Sequence, residues 1–437
     1  MNQQSETVRH YVLNNLEKDF FKADMRLPGS RKISEMLNIS RPVVQNALDT
    51  LVNEGLLRSV SRSGLYVDSQ WQTRRFRNSL RIYTSDEFLP WMPMLRSEMA
   101  EIAPELHISQ RCEEGDFEIV TTATAQTRHR EFADLSPLLA SCYPDLSPFY
   151  AEQLNPFMQQ GALIALPFLF SPRLMACNRK VLEKAGCPIP TPAWTLKDFL
   201  EIVEKLSGSS VENIFLWNSS YYLWMNFILS SGGRLFCIEK DDPVCFDSEE
   251  VISALQIFHA LRKNVPVLSG KDYISRCSQF AFAVIDSQIY GLQQEKFDED
   301  FIFLPMPGSS AEHTGKSIQA TELLVMRRGC VDSKLAIPLI NFLWSEKFQD
   351  HLAQLHHGIP LRKSSMEKFS DQDGKPDRAF KNVLGKLNSE YHLSSPDLFN
   401  LVSSGISSIL SSSGDIESQL KELAFVVRKY LKYTEKI

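Results

Sequence analysis

The sequence predicts two different folds in one chain: an α+β winged helix-turn-helix over residues 1–68 and a larger α/β body over residues 80–437. Three observations lead there. Residues 27–67 set out two helices, a sharp turn between them and a hairpin, in that order. From residue 80 onward, short apolar strands alternate with amphipathic helices, the pattern of a sheet covered by helices. At 437 residues the chain is also too long for one small domain, since domains usually run about 100–200 residues. Its 43% hydrophobic and 23% charged residues are globular values, enough to bury a sizeable core.

Each element of the head follows from its residues. Ile33, Met36 and Leu37 have the spacing of one helix face, and Asn38 suits the left-handed conformation that ends a helix. Ser40 then stands at an N-cap position, with Pro42 just inside the next helix, where its missing N–H is not needed. Val43, Val44, Ala47, Leu48 and Leu51 form the inner stripe of that second helix. Arg41, Gln45, Asn46 and Asp49 are left facing outward, as a helix lying in a DNA major groove requires. Gly55 closes it. Leu56–Val60 and Leu65–Val67 read as short strands around Ser61–Gly64, with Arg58 and Arg62 beside the turn.

Charge divides the chain at the same place. The net charge is −6, but residues 1–79 hold 12 Lys and Arg against 8 Asp and Glu, a net of +4, and the remainder holds 35 against 45, a net of −10. A basic head on an acidic body favours one-sided docking on phosphate.

Leu27, Pro28, Arg31, Leu37, Ser40, Arg41, Val44, Ala47, Leu48, Gly55, Leu56, Gly64 and Val67 together resemble the GntR family of bacterial transcription regulators, over roughly residues 5–68. The resemblance implies phosphate or base contacts for Arg31 and Arg41, the cap of the recognition helix for Ser40 and the wing turn for Gly64. Four positions depart from the family, two of them being Gly29 and Ser30, which replace the usual Ser-Glu pair before Arg31. Gln45 stands where the family usually has Arg, which exchanges a guanine-type contact for an adenine-type one, and Arg62 replaces the first wing glycine. We take Arg31, Ser40, Arg41, Gln45, Asn46, Arg62 and Gly64 as the candidate DNA-binding residues.

Residues 69–79, SQWQTRRFRNS, are polar and basic and read as a linker. Beyond it LRIYT, FEIVTT, ALIALPF, LMACN, NIFLW, FAFAVI, FIFLPM and ELLVM read as strands. KDFLEIVEKLS, EVISALQIFHALRK and LAIPLINFLWSEKFQDHLAQL read as helices on their 3.6-residue stripes.

Five phrases in order, among them FADLSPLL, ILSSGGRLF and the long run from Ala162 to Leu206, resemble the extracellular solute-binding proteins of ABC importers, in the carbohydrate-binding group. That resemblance, over about residues 80–370, implies a two-lobed α/β body of the type II periplasmic-binding-protein kind, closing on a ligand between its lobes. Sugars rest their C–H faces on aromatic rings and pair their hydroxyls with carboxylates. Trp217, Tyr221 and Trp224 are therefore the candidate stacking surfaces, Glu87 and Asp286 the candidate hydroxyl acceptors, and Tyr290 a further wall.

Other chemistries lack their motifs. GKS at Gly315–Ser317 has no upstream P-loop glycine and precedes a strand instead of opening a helix. His356 and His357 are adjacent, splayed on a helix, without metal-ligand spacing, and no GxSxG elbow is present. Neither an enzyme, a metal nor a cofactor is implied. Eight scattered cysteines, no signal-type N-terminus and no run approaching 18 apolar residues point to a soluble, cytoplasmic protein without membrane partners. The combination reads as a regulator that binds double-stranded DNA at a pseudo-palindromic operator as a homodimer and is switched by a small molecule, most simply a sugar. The alternative is a DNA-binding protein whose body no longer binds sugar and serves as a dimerisation or docking scaffold.

Overall fold

The computed structural model describes residues 3–17, 20–69, 71, 79–82, 89–109, 115–237, 239–262, 270–297, 299–330, 332–369, 377–388 and 395–434. The expected linker lies almost wholly outside them. By contacts the chain divides into two compact units, one of residues 1–83, 92–118 and 326–339, the other of residues 84–91, 119–325 and 340–437.

The first unit contains the winged helix: α1 (Gln3–Glu17), α2 (Ser30–Leu37), α3 (Arg41–Asn53), β1 (Leu57–Val60) and β2 (Gly64–Val67). Helix α1 was not expected from the sequence. Its Val8, Val12 and Leu16 recur every fourth residue and are buried in one core with Ile33, Val44, Leu48, Leu51, Leu56 and Val67. Each such side chain contributes about 1.5–3 kcal/mol by leaving water. Asn38 ends α2 at φ 53° and ψ 41°, as its residue type suggests. Two details differ from expectation. Met36 is half exposed, because the short α2 turns only Ile33 fully inward. Ser40 occupies the N-cap of α3 without a side-chain cap bond, so Pro42 and the backbone define that helix start.

In the wing, β1 and β2 pair antiparallel from Leu57↔Val67 to Val60↔Gly64, and Arg26 bridges to Tyr66 on the other edge of β2. The turn needs left-handed backbone at Arg62 (φ 61°) and a positive φ at Gly64 (φ 108°). A Cβ on Gly64 would also lie 3.3 Å from the Arg26 guanidinium. The rest of the unit includes strand Ser79–Ile82, paired parallel with His107–Ser109, and helix Met92–Ile102. It also holds the fully buried Glu118, which Arg327 and Arg81 approach at 3.3 and 3.9 Å.

Besides the two-stranded pairings Met158–Gln159 with Ala162–Leu163 and Ser317–Ile318 with Leu387–Asn388, the second unit holds strands of two larger sheets. In one, Leu166–Ser171 lies between Ala320–Met326 and Ile359–Pro360, antiparallel to both. In the other, Leu174–Asn178 lies between Phe282–Ile285 and Phe301–Pro305, again antiparallel to both. Only Pro172 and Arg173 separate Ser171 of the first sheet from Leu174 of the second. The chain returns to the first sheet through Ser317–Thr321. Helices Leu196–Ser207, Tyr221–Ser230, Glu249–Ala260, Pro396–Ser411 and Ile416–Thr434 belong to the same unit. Leu196–Ser207 starts on a capping box in which the Thr195 and Asp198 side chains bond to each other's backbone N–H, behind the packed Trp194.

Two sequence assignments change. NIFLW forms no strand and contributes only the bridge Phe215↔Phe282. The long helix expected over 335–355 breaks into Ala336–Leu343 and Glu346–Gln354, because the Ser345 side chain caps the second piece by accepting the Phe348 N–H.

Candidate nucleic-acid interface and ligand site

Every candidate DNA residue sits on one stretch of the winged helix. Arg41, Gln45, Asn46 and Asp49 are exposed along α3, opposite the buried Val44, Ala47, Leu48 and Leu51. The Gln45 amide donates to Asp49 at 2.9 Å, one turn on, which orients it along the helix. Arg31 meets Glu35 at 3.1 Å on the open surface of α2, a contact of little energetic weight. Arg62 is exposed at the wing tip. Sequence reasoning gave no role to Arg26, whose side chain lies beside Gly64, but its place next to the hairpin adds a third cation to that edge. Arg58 is partly used inside the protein, donating to Asp24 at 2.8 Å and standing over the Tyr66 ring at 5.2 Å.

The far end of α3 is held from both sides. Glu54, its C-cap residue, pairs with Arg9 of α1 and lies 2.6 Å from His107 Nε2 on strand His107–Ser109. Burial pushes the Glu54 carboxyl up, but the His107 contact and the Arg9 charge outweigh it and hold the group below the ordinary carboxylate value. No local pattern in the sequence foretells this triad.

The candidate sugar residues separate. Glu87 lies outside the described residues. Trp217 is fully buried, stacks on Phe258 at 5.4 Å and donates to the Phe258 carbonyl at 2.9 Å, so it is a core residue and not an open stacking face. Trp224 is likewise buried, inside a mostly apolar and largely buried helix, and Tyr290 packs among Phe297, Phe303 and His356. Tyr221 is half-buried, edge-on to Tyr222 and to Phe399 of helix Pro396–Ser411; burial pushes its phenol up. Asp286 is not a free acceptor. It caps helix Ser287–Gln293 by accepting the Ile289 N–H at 2.7 Å and takes a bond from the Arg173 guanidinium.

What the fold does gather, where the chain passes between the two sheets of the second unit, is a set of buried polar groups. Arg173 donates its backbone N–H to Ser317 at 3.0 Å and holds its guanidinium 5.8 Å from the Tyr222 ring centre. The Ser171 hydroxyl accepts the Ser287 N–H at 2.8 Å, and the Asn226 amide oxygen accepts the Ile318 N–H at 3.1 Å. Thr122 and Thr321 share a hydroxyl–hydroxyl bond. Glu322 receives the Gln288 amide at 3.1 Å, and its same oxygen lies 3.1 Å from His357 Nε2. Glu322 Oε2, His357 Nδ1 and Ser287 Oγ, like Trp224 Nε1, are among the buried polar atoms that have no hydrogen-bond partner among the described residues.

A carboxylate within the apolar run ATELLVM was the available sequence signal for Glu322. His356 and His357 lie past the helix that ends at Gln354, not on it; His356 takes a positive φ of 52° and stands edge-on to Tyr290, while His357 meets Glu322. Elsewhere in the second unit a hollow of about 420 Å³, lined by Leu139, Ala140, Tyr143, Leu154 and Met158 among others, includes none of the candidate ligand residues. Among the described residues, no group of three or more His, Cys, Asp or Glu is arranged to hold a metal, and no helix is long and apolar enough to cross a membrane.

Residues 4–67 match bacterial regulatory proteins, gntR family. No curated protein matches the chain significantly. The chain is similar to the maltose-bound MalE3 of T. maritima at 16% identity and a TM-score of 0.65, over 81% of this chain and 99% of that one. It is similar also to the GacH receptor of Streptomyces glaucescens, solved unliganded and with acarbose, at 16% identity and 0.66 over 81% and 98%. The substrate-binding protein Lmo0181 of Listeria monocytogenes, solved with cycloalternan, gives 14% identity and 0.66 over 82% and 99%. The body thus has the two-lobed fold of periplasmic sugar-binding proteins.

Proposed function

With a GntR-family DNA-binding domain at residues 4–67 as the premise, we propose that the chain is a ligand-responsive transcription regulator. A small molecule, a carbohydrate by the likeness of the body to sugar-binding proteins, binds where the chain crosses between the two sheets and changes the affinity of the winged helix for DNA. The working form is a soluble cytoplasmic homodimer, each head on one half of a pseudo-palindromic operator. One observation carries the ligand part of this reading: Ser287, Glu322 and His357 keep buried polar atoms without partners among the described residues, beside the short crossover at Pro172–Arg173. Sugar hydroxyls, which both donate and accept, complement a mixture of hydroxyl, carboxylate and imidazole. A crossover of a few residues is also the kind of segment that absorbs hinge motion.

Thermal unfolding of the full chain against a panel of mono- and oligosaccharides tests the ligand. A cognate sugar at 100 times its Kd adds about 2.7 kcal/mol, and Glu322→Ala should abolish the shift. No shift from any sugar would favour the scaffold reading of the body.

For the head, Arg41→Ala is expected to weaken operator binding by about 1–3 kcal/mol if the side chain reads a base, or chiefly to flatten the salt dependence by about one unit if it meets phosphate. Titrations at several salt concentrations measure both. Unchanged affinity and slope would remove Arg41 from the interface.

A further inference from the structure

The C-terminal helix Ile416–Thr434 buries Ile416, Leu420, Ala424 and Val427 on one side. Arg428 fastens it to the rest of its unit, donating to Asp242 at 2.7 Å, to Asp247 at 2.8 and 3.1 Å and to the Val244 carbonyl at 3.1 Å. The opposite side is open and carries large apolar side chains. Phe425 is 59% exposed, Val426 43% and Tyr433 75%. With the exposed Glu422 and Lys429 they fall at i, i+3, i+4, i+7 and i+11, which is a single stripe along the helix. Lys429 and Lys432 of the same helix stand over the Phe425 and Tyr433 rings at 5.4 and 5.8 Å. A row of exposed rings on a rigidly held helix marks an association surface.

The order of charges along the stripe says what fits it. Glu422 and Lys429 lie at equal distances on either side of the Phe425–Val426 step. A second copy of the helix, laid antiparallel about a two-fold axis through that step, places each Glu422 opposite the other copy's Lys429 and each Phe425 against Val426. Seven residues span about 10 Å of helix, so both ion pairs form together around an apolar centre. A parallel copy would set like charge against like. We infer that this stripe is the isologous surface through which two copies of the chain pair, with Glu422 and Lys429 fixing the antiparallel register. The pairing rests on the proposed regulator only in supplying its two-fold symmetry; it needs neither effector nor DNA.

Sedimentation equilibrium of the full chain, without DNA or sugar, tests it. The wild type should dimerise. Glu422→Lys alone and Lys429→Glu alone should each raise the dimer Kd about tenfold or more, because like charges then face each other. The double variant should restore self-association, and an equimolar mixture of the two single variants should form heterodimers. Circular dichroism should find all four chains folded alike, since both positions are exposed. A monomeric wild type, or variants whose dimer Kd does not move, would overturn the inference. DNA binding is measured separately: retained operator binding by a wild type that is monomeric, or by variants whose dimer Kd does not move, would show that the DNA-binding reading survives a failure of the stripe.

Discussion

Asp286→Ala is expected to lower the stability of the chain by about 3–5 kcal/mol. Asp286 is 3% exposed, and its carboxylate works in two directions, as cap of helix Ser287–Gln293 and as counter-charge to Arg173, itself 8% exposed. Alanine removes the acceptor of the Ile289 N–H and leaves a buried guanidinium facing no carboxylate at that position. Removing one member of a buried pair costs far more than the net worth of the pair, because the survivor's desolvation is no longer offset. Urea unfolding should show the loss as a fall in midpoint at unchanged slope. Asp286→Asn, which can keep the cap while removing the charge, should fall between. A loss below about 1 kcal/mol, the scale of an exposed pair, would mean that the site is hydrated and would return Asp286 to the pool of ligand acceptors.

Trp217→Ala should cost a similar amount, about 3–5 kcal/mol. The indole fills a fully buried position against Phe258, and its N–H satisfies the Phe258 carbonyl. That carbonyl lies in the last turn of helix Glu249–Ala260, where C=O groups have no partner within the helix. Both the packing and the helix end therefore depend on one side chain. Trp217→Phe should recover part of the packing and leave the carbonyl orphaned. Differential scanning calorimetry with and without a binding sugar separates this role from stacking on a ligand: a core residue lowers the melting temperature in both conditions, whereas a stacking residue removes only the ligand's increment.

The contrast between head and body is physical. The winged helix was legible because its signals are local: the spacing of Val44, Ala47, Leu48 and Leu51, the left-handed Asn38, Pro42 at a helix start and Gly64 in a tight turn each act within a few residues. Helix α1 escaped notice although Val8, Val12 and Leu16 carry a readable stripe, because its other residues are mostly polar. In the body, the order of strands and helices was largely recoverable, but the burial and partners of the candidate ligand residues were not. FLWNSSYYLW supplies aromatic rings, and nothing within it tells a core ring from a ligand wall; the decision lies with Phe258, far along the chain. Arg173 and Asp286 stand 113 residues apart, and Glu322 and His357 stand 35 apart. Such partners are chosen by topology, which periodicity does not encode.

The arginine at the wing tip sets stability against adhesion. A side chain other than glycine in the left-handed region costs about 1–2 kcal/mol, and Arg62, at φ 61°, bears that cost in the free protein at every ionic strength. A cation's gain against phosphate exists only when a polyanion is present, and it fades as salt rises. The most stable wing and the most highly charged wing are consequently different sequences, and this chain keeps the charged one.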